Sequence, residues 1–271
     1  SRMRKSDSLN GPTDYGRAVA SGRVQFGNIT SGSMLRTSFG RLVAGTLLAL
    51  PLLALWDASG LDLPMAGLFG TQAGFALRDN WFMVQVMHEG TKALSWVLVI
   101  FLVASIFWPV GFLRRLERGE RVQLALVVIV SVLVVSLIKH GSRTSCPWDL
   151  GAFGGTAHYV SHWSWGKFDG GGGKCFPAGH ASAAFAFLGG YFLLARRVPG
   201  VARWWLAGAV IGGLALGLAQ QMRGAHYMSH TLWTAWICWT TGLVVDRAYQ
   251  LWRARGAGAA VLAPASSQSS P

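Results

Sequence analysis

The chain has 271 residues, 52% of them hydrophobic and only 13% charged, with 13 Trp and 14 Phe. Soluble domains carry about 25% charged residues, so composition argues against a single water-soluble globule, and against disorder over most of the length. The formal net charge is +13, which in a soluble protein would point to nucleic acid. Here the apolar residues lie in long runs, so the charge has to be read by where it falls between them.

Ser1 and Arg2 precede Met3, a candidate native start. Residues 1–35 are polar and rich in Gly and Ser, with no signal-peptide apolar core, and are expected to form a flexible cytoplasmic tail. Six apolar runs follow: Leu42–Trp56, Leu94–Phe112, Val122–Ile138, Ala181–Ala195, Trp204–Ala219 and Thr231–Val245. A spanning helix needs about 20 residues; flanking small and amphipathic residues extend the shorter runs. Phe75–Met87 is interrupted by Arg78, Asp79 and Asn80 and reads as an interfacial or loop helix. The expected fold is therefore all-α: a polytopic membrane protein with a bundle of six transmembrane helices over 36–255, followed by a disordered Ala/Ser/Gly/Pro-rich tail, 256–271.

If the six runs all cross, 17 Lys and Arg residues fall on one side and seven on the other. The positive-inside rule places the 17 in the cytoplasm with both termini. The excess of charge is then an orientation signal, and no nucleic acid partner is needed. An integral membrane location is expected, a bacterial inner membrane fitting best, with the long loop Lys139–His180 and the short segment Arg223–His230 on the periplasmic or outer face.

That face holds the unusual chemistry. His140, His158, His162, His180, His226 and His230 lie in or beside these segments, and His88 lies on the first outer loop. Polar residues at the ends of spans tend to mark function. Three stretches stand out: Lys139–Asp149, Cys175–His180 and Arg223–His230. Each joins a cation or a His to a helix end, where free N–H groups favour anions. The glycines 170–173, Lys174 and the Pro-Ala-Gly-His helix start suit a phosphate, and His180 and His226 would supply acid and nucleophile near neutral pH.

In order, spacing and placement, these stretches resemble the type-2 phosphatidic acid phosphatase superfamily. Its motifs are Lys-x6-Arg-Pro, Pro-Ser-Gly-His and Ser-Arg-x5-His-x3-Asp. Lys139, His180 and His226 match directly, and Gly179 precedes His180 as in the motif. Four positions depart: Cys146 stands for Arg, Ala178 for Ser, Gln220 for Arg and His230 for the final Asp. Arg143 and Arg223 each lie three residues from a lost arginine, close to one helical turn, so a phosphate cradle of Lys139, Arg143 and Arg223 is expected. The resemblance implies a phosphohistidine route in which His226 attacks phosphorus and His180 protonates the leaving oxygen. Asp149 is the candidate partner for His226 in place of the motif Asp, against a purely structural role in its Pro-Trp-Asp turn.

No metal and no other cofactor is expected. His226 and His230 share an i, i+4 spacing, as do His158 and His162, but no Glu sits between them as in a zinc hydrolase. Cys238 should simply pack in a span, whereas Cys146 and Cys175 are a candidate disulfide on an oxidising face. Tyr159, Trp163 and Trp165 read as an interfacial belt, with an acyl-chain lining as the alternative. The implied function is a membrane phosphatase acting on a lipid phosphate or pyrophosphate of the undecaprenyl pyrophosphate, lipid A or phosphatidylglycerol phosphate class. Its partners are the phosphorylated lipid substrate and membrane lipids. The alternatives are a lipid phosphotransferase using the same histidine, or a non-catalytic lipid-phosphate carrier. Oligomeric state is not legible.

Overall fold

The structure, a computed structural model, describes residues 29–262 except Trp165, with side chains from Phe39 to Gly256. Most of both expected tails lies outside the described residues. The chain divides into two compact units, 1–45 and 46–271. Of the first, the described part is the beginning of helix α1, and everything below concerns the second.

The helices in chain order are α1 (Ile29–Ser59), α2 (Asp62–Gly67), α3 (Thr91–Ala104), α4 (Arg118–Gly141), α5 (Ser182–Phe185), α6 (Gly190–Arg197), α7 (Pro199–Met222) and α8 (Met228–Leu262). A π-helical stretch, Phe82–Gly90, runs directly into α3, and a 3-10 turn, Ala186–Gly189, joins α5 to α6. Two short antiparallel strands, β1 (Gly70–Thr71) and β2 (Gly74–Phe75), are the departure from an all-α chain.

Among the described residues, four helices are long and apolar enough to cross a membrane: Phe39–Ser59, Phe82–Ala104, Arg118–Gly141 and Pro199–Met222. At 1.5 Å per residue, the 24 residues of α4 or α7 reach about 36 Å, enough for a hydrocarbon core of about 30 Å. The fourth apolar run folds as the short continuous helical segment 182–197, and the sixth lies inside the 35-residue α8. The second span is displaced from its expected place. The helix leaves regular form at Ala104, ahead of Pro109 and Gly111, and reaches spanning length by taking in Phe82–Gly90. The last six residues of the expected interfacial helix at Phe75–Met87 thus belong to a candidate span, while its first residues form the end of β2 and turns. The helical ends also run past the expected tail boundaries, since α1 begins at Ile29 and α8 continues to Leu262.

The core forms where α4, the segment 182–197, α7 and α8 meet, around Leu124, Val128, Phe185, Leu194 and Cys238. Backbones touch at one point: a Cβ on Gly242 would lie 2.3 Å from the Gly189 Cα, and one on Gly189 would lie 2.4 Å from Val127. Small residues that let helices approach this closely are how bundles pack in lipid, where no hydrophobic force draws helices together. Away from this core, Leu48, Leu52, Trp96, Ile100 and Ile211 are exposed, as lipid-facing residues should be.

The bundle end that carries the loop 198, the N-terminus of α4 and the later turns of α8 is clamped by charge. Glu117 and Glu120 form a capping box that starts α4. Arg197 reaches both of these carboxylates, and Arg253 bonds Glu117 at 2.9 Å. Arg196 pairs two-fold with the buried Asp246, at 2.6 and 2.9 Å. The other bundle end, free of such a clamp, carries the chemistry.

Candidate active site

Three chain segments are tied together at that end by backbone hydrogen bonds. The N–H of Lys174 and of Cys175 donate to the carbonyls of Ser142 and Thr144, and the N–H of Trp148 donates to Gly224. Cys146 and Cys175 form a disulfide that makes the same connection covalently. Residues distant in sequence are therefore held as one platform over the helix ends.

The way α7 ends sets two of the site residues. Its last carbonyls are closed by Gly224 N–H to Gln221 and Ala225 N–H to Gln220, the paired bonds of a Schellman cap. Gly224 takes φ +76°, and a Cβ there would also lie 2.4 Å from the Phe75 ring, so only glycine fits. The cap leaves Arg223 in helical conformation at the end of α7 and releases the chain so that His226 falls just before α8. Arg223 Nη1 donates to Gln220 Oε1 at 3.3 Å, and its Nε to the Arg78 carbonyl at 2.9 Å. The arginine thus occupies the neighbourhood of the residue that replaces the motif arginine, one turn along the same helix.

Around it the other groups converge. Lys139, in the last turn of α4, lays its side chain over Gly179, where a Cβ would sit 3.5 Å from Cδ and 3.8 Å from Nζ. His180 and His226 have ring centroids 6.5 Å apart, and His180 Nδ1 is buried without a hydrogen-bond partner. His226 is 2% exposed. Its Nδ1 lies 3.5 Å from the Cys175 sulfur, and the Cys175 backbone hydrogen-bonds both His226 and His230.

The electrostatics follow from burial among cations. Burial, then His88, Lys139, Arg223 and Lys92, push the His180 pKa down to about 3. Burial, then Lys139, His230 and His180, hold His226 well below the usual imidazole range, with only the Cys175 backbone acting the other way. Both rings are therefore held neutral at pH 7, inside a positive field that favours an anion.

Two expected site residues are placed elsewhere. Arg143 lies beyond the end of α4 at Gly141, in non-helical chain, so a displacement of three residues no longer keeps it on the same face. It is exposed and lines a separate small cavity with Ile138, His162 and Phe176. The carboxylate of Asp149 accepts the Cys146 N–H at 3.2 Å, capping its own 3-10 turn, which is the structural alternative. The glycine tract is also internal: Gly171 N–H donates to Asp169 and Gly173 N–H to Ser145 Oγ, so these amides do not face a phosphate.

Conversely, His88 packs against His180 with centroids 3.9 Å apart and ring planes tilted by 37°, and its Nδ1 pairs with Glu89 at 2.9 Å. Lys92, one turn on, adds to the positive field at His180. Their i, i+4 spacing was visible in the sequence, but a span begun at Leu94 left them outside it. His140 and His158 are exposed and stand apart from the cluster. Among the described residues the group with metal-ligand spacing is Cys146, Cys175 and His226, whose atoms lie within 4.8 Å of one another. Both sulfurs are bonded to each other, so they offer no thiolate. Cys238 is a buried free thiol.

A family model, PAP2 superfamily, matches residues 121–254, which hold all three site segments. The crystal structure of a transmembrane PAP2-type phosphatidylglycerolphosphate phosphatase from Bacillus subtilis aligns with a TM-score of 0.50 at 16% identity, covering 76% of this chain and 95% of that one. At that identity the likeness concerns the fold. No curated protein matches the chain in sequence.

Proposed function

Because the chain belongs to the PAP2 superfamily, we propose that it is a lipid phosphatase working through a phosphohistidine on His226. The observation that carries this is the meeting of His180 and His226 beside Lys139 and Arg223 at one end of the bundle. His226 Nε2 attacks phosphorus while its other nitrogen faces Cys175; the bond from phosphorus to the leaving oxygen breaks, and that oxygen takes a proton from His180. Water then cleaves the N–P bond. Lys139, Arg223 and the backbone at Gly179 neutralise charge on the transferring oxygens, the main work in phosphoryl transfer.

Two apolar clefts favour a lipid over a soluble ester. One of about 490 Å³ lies between α3 and α7, lined by Leu94, Leu98, Phe101, Trp205 and Gly212. One of about 200 Å³ lies between α3 and α4 and includes Lys92 and Gly179. Both include Ser95, Ala183 and Phe187, immediately past His180. In our reading the six helical segments cross the bilayer, the basic end lies in the cytoplasm, and the histidines face the outer leaflet, so a headgroup reaches them while its chains stay in the clefts.

The test is phosphate release by the purified protein from a panel of phosphorylated lipids in detergent, with free phosphate counted against phosphorylated acceptor. Release should be unchanged by a metal chelator. No turnover on any lipid monophosphate or pyrophosphate, or loss of turnover with chelator, refutes the mechanism.

The depressed pKa of His180 adds a second expectation. A neutral ring cannot protonate a leaving group, so the acid form must be created by the substrate. A phosphate dianion cancels the field of Lys139, Arg223 and Lys92, and the His180 pKa rises on binding. Binding of vanadate or phosphate at pH 7 should therefore be accompanied by proton uptake, read by calorimetry in buffers of different ionisation enthalpy, and affinity should weaken as pH rises. In His180→Asn the uptake should disappear; uptake that survives this change would assign the proton to another group.

A further inference from the structure

The structure leaves His226 without the carboxylate that its motif calls for, because His230 stands at that position. What lies behind His230 is a line of rings ending in a carboxylate. His226 and His230 have centroids 5.9 Å apart and meet edge to face. His230 and His162 are 5.5 Å apart, again edge to face. His162 stacks flat on Phe176 at 4.3 Å, and its Nε2 lies 3.5 Å from Asp57 Oδ2, in ion-pair rather than hydrogen-bond range. His226, His230 and His162 are all 9% exposed or less.

We propose that Asp57, acting through His162 and His230, is the counter-charge for the nucleophile, a positioning residue that replaces the motif carboxylate from a different helix. This rests on the phosphohistidine reading above. When His226 Nε2 bonds to phosphorus its ring becomes a cation, and no proton has to leave it: the Nδ1–H stays, and the leaving oxygen takes its proton from His180. The cation forms in a pocket already made positive by Lys139, so a buried negative charge along the ring line lowers the energy of that intermediate.

Three unpartnered atoms mark the line as incomplete in the resting state. Asp57 Oδ1, His162 Nε2 and His230 Nδ1 are buried and make no hydrogen bond. Buried polar atoms without partners are costly and rare, and three consecutive ones suit groups that reorient when charge appears at His226. Asp57 is held to this place by the indole N–H groups of Trp163 and Trp233, which donate to its Oδ2 at 2.8 and 2.9 Å. The neighbouring Asp62 is already committed: it accepts the N–H and the hydroxyl of Ser229, at the start of α8, and the Trp56 indole N–H.

The experiment compares turnover in single and double variants of the full chain. Asp57→Asn keeps an oxygen for the two indoles and removes the charge; His162→Phe keeps the flat stack on Phe176 and breaks the line. Each should lower kcat by about 10-fold or more with KM within about twofold, and the double variant should be no slower than the worse single. His230→Asp restores a carboxylate four residues from His226, and in that background Asp57→Asn should cost at most about twofold. Wild-type kcat in both single variants, or an equal Asp57→Asn loss with and without His230→Asp, overturns the proposal. His226→Ala, run alongside, tests the underlying reading separately: if it remains active, the nucleophile assignment fails instead. Should Asp57→Asn not fold, the His162→Phe pair with and without His230→Asp decides.

Discussion

Replacing His226 by Ala will lower phosphate release by about 10⁴-fold or more, because the route loses its nucleophile and not merely a contributor to binding. The ring is 2% exposed and packed against the Cys146–Cys175 disulfide, and a water taking its place would be a far weaker nucleophile than the imidazole. Substrate should still bind, since Lys139 and Arg223 remain. The variant therefore separates an enzyme from a carrier: a carrier would keep its lipid-phosphate affinity and would have had no turnover to lose. A covalent intermediate sharpens the result. Wild-type protein mixed with a ³²P-labelled lipid and quenched in base should retain label that acid removes, as an N–P bond does, and His226→Ala should retain none. Label on His226→Ala, or turnover within 10-fold of wild type, refutes the assignment.

What could be read from the sequence was set by local rules. Lys139, His180 and His226, which meet at one end of the bundle, could be singled out because each sits at or beside a helix end. The two compensating arginines show where such reasoning stops. The one-turn argument holds for Arg223, which ends α7 in helical conformation and bonds Gln220 three residues back. It fails for Arg143, because α4 ends two residues earlier, and helix boundaries are the least legible feature of a sequence. His88 and Lys92 were missed for the related reason that the second span starts twelve residues before its apolar run. Asp57 was beyond any local rule. Its partners His162 and Trp233 come from the long loop between α4 and α5 and from α8, and the contact exists only because α1 packs against α8 through Leu53 and Trp233. Of the six runs, length and hydropathy alone support four among the described residues: 182–197 is short, and α8 is long but interrupted by polar residues such as His230, Thr234 and the buried Asp246.

Arg223→Ala and Lys139→Met should each lower kcat/KM by about 10²–10³-fold, whereas Arg143→Ala should stay within about twofold of wild type. The first two cations are among the charges that depress the His180 pKa, and a phosphoryl group bound beside that ring would meet the same positive field. Removing one donor to a developing oxyanion typically costs this much, since the charge is stabilised in a site that excludes water. Arg143 is exposed on the loop that follows α4 instead, where a cation meets solvent and salt and contributes little. Direction matters as well as size. Both Lys139→Met and Arg223→Ala weaken the positive field, so the acid form of His180 becomes easier to make in the empty protein even as phosphate stabilisation falls. Activity lost at pH 7 should therefore come from weaker phosphate binding and stabilisation, appearing in KM as well as kcat, and proton uptake on phosphate binding should shrink. Lys139→Arg keeps the charge and should recover part of the rate; a variant that recovered none would indicate that Lys139 acts through the fit of its chain over Gly179 and not through its charge. Equal losses in Arg143→Ala and Arg223→Ala would place both arginines at the phosphate and contradict the geometry at the end of α4.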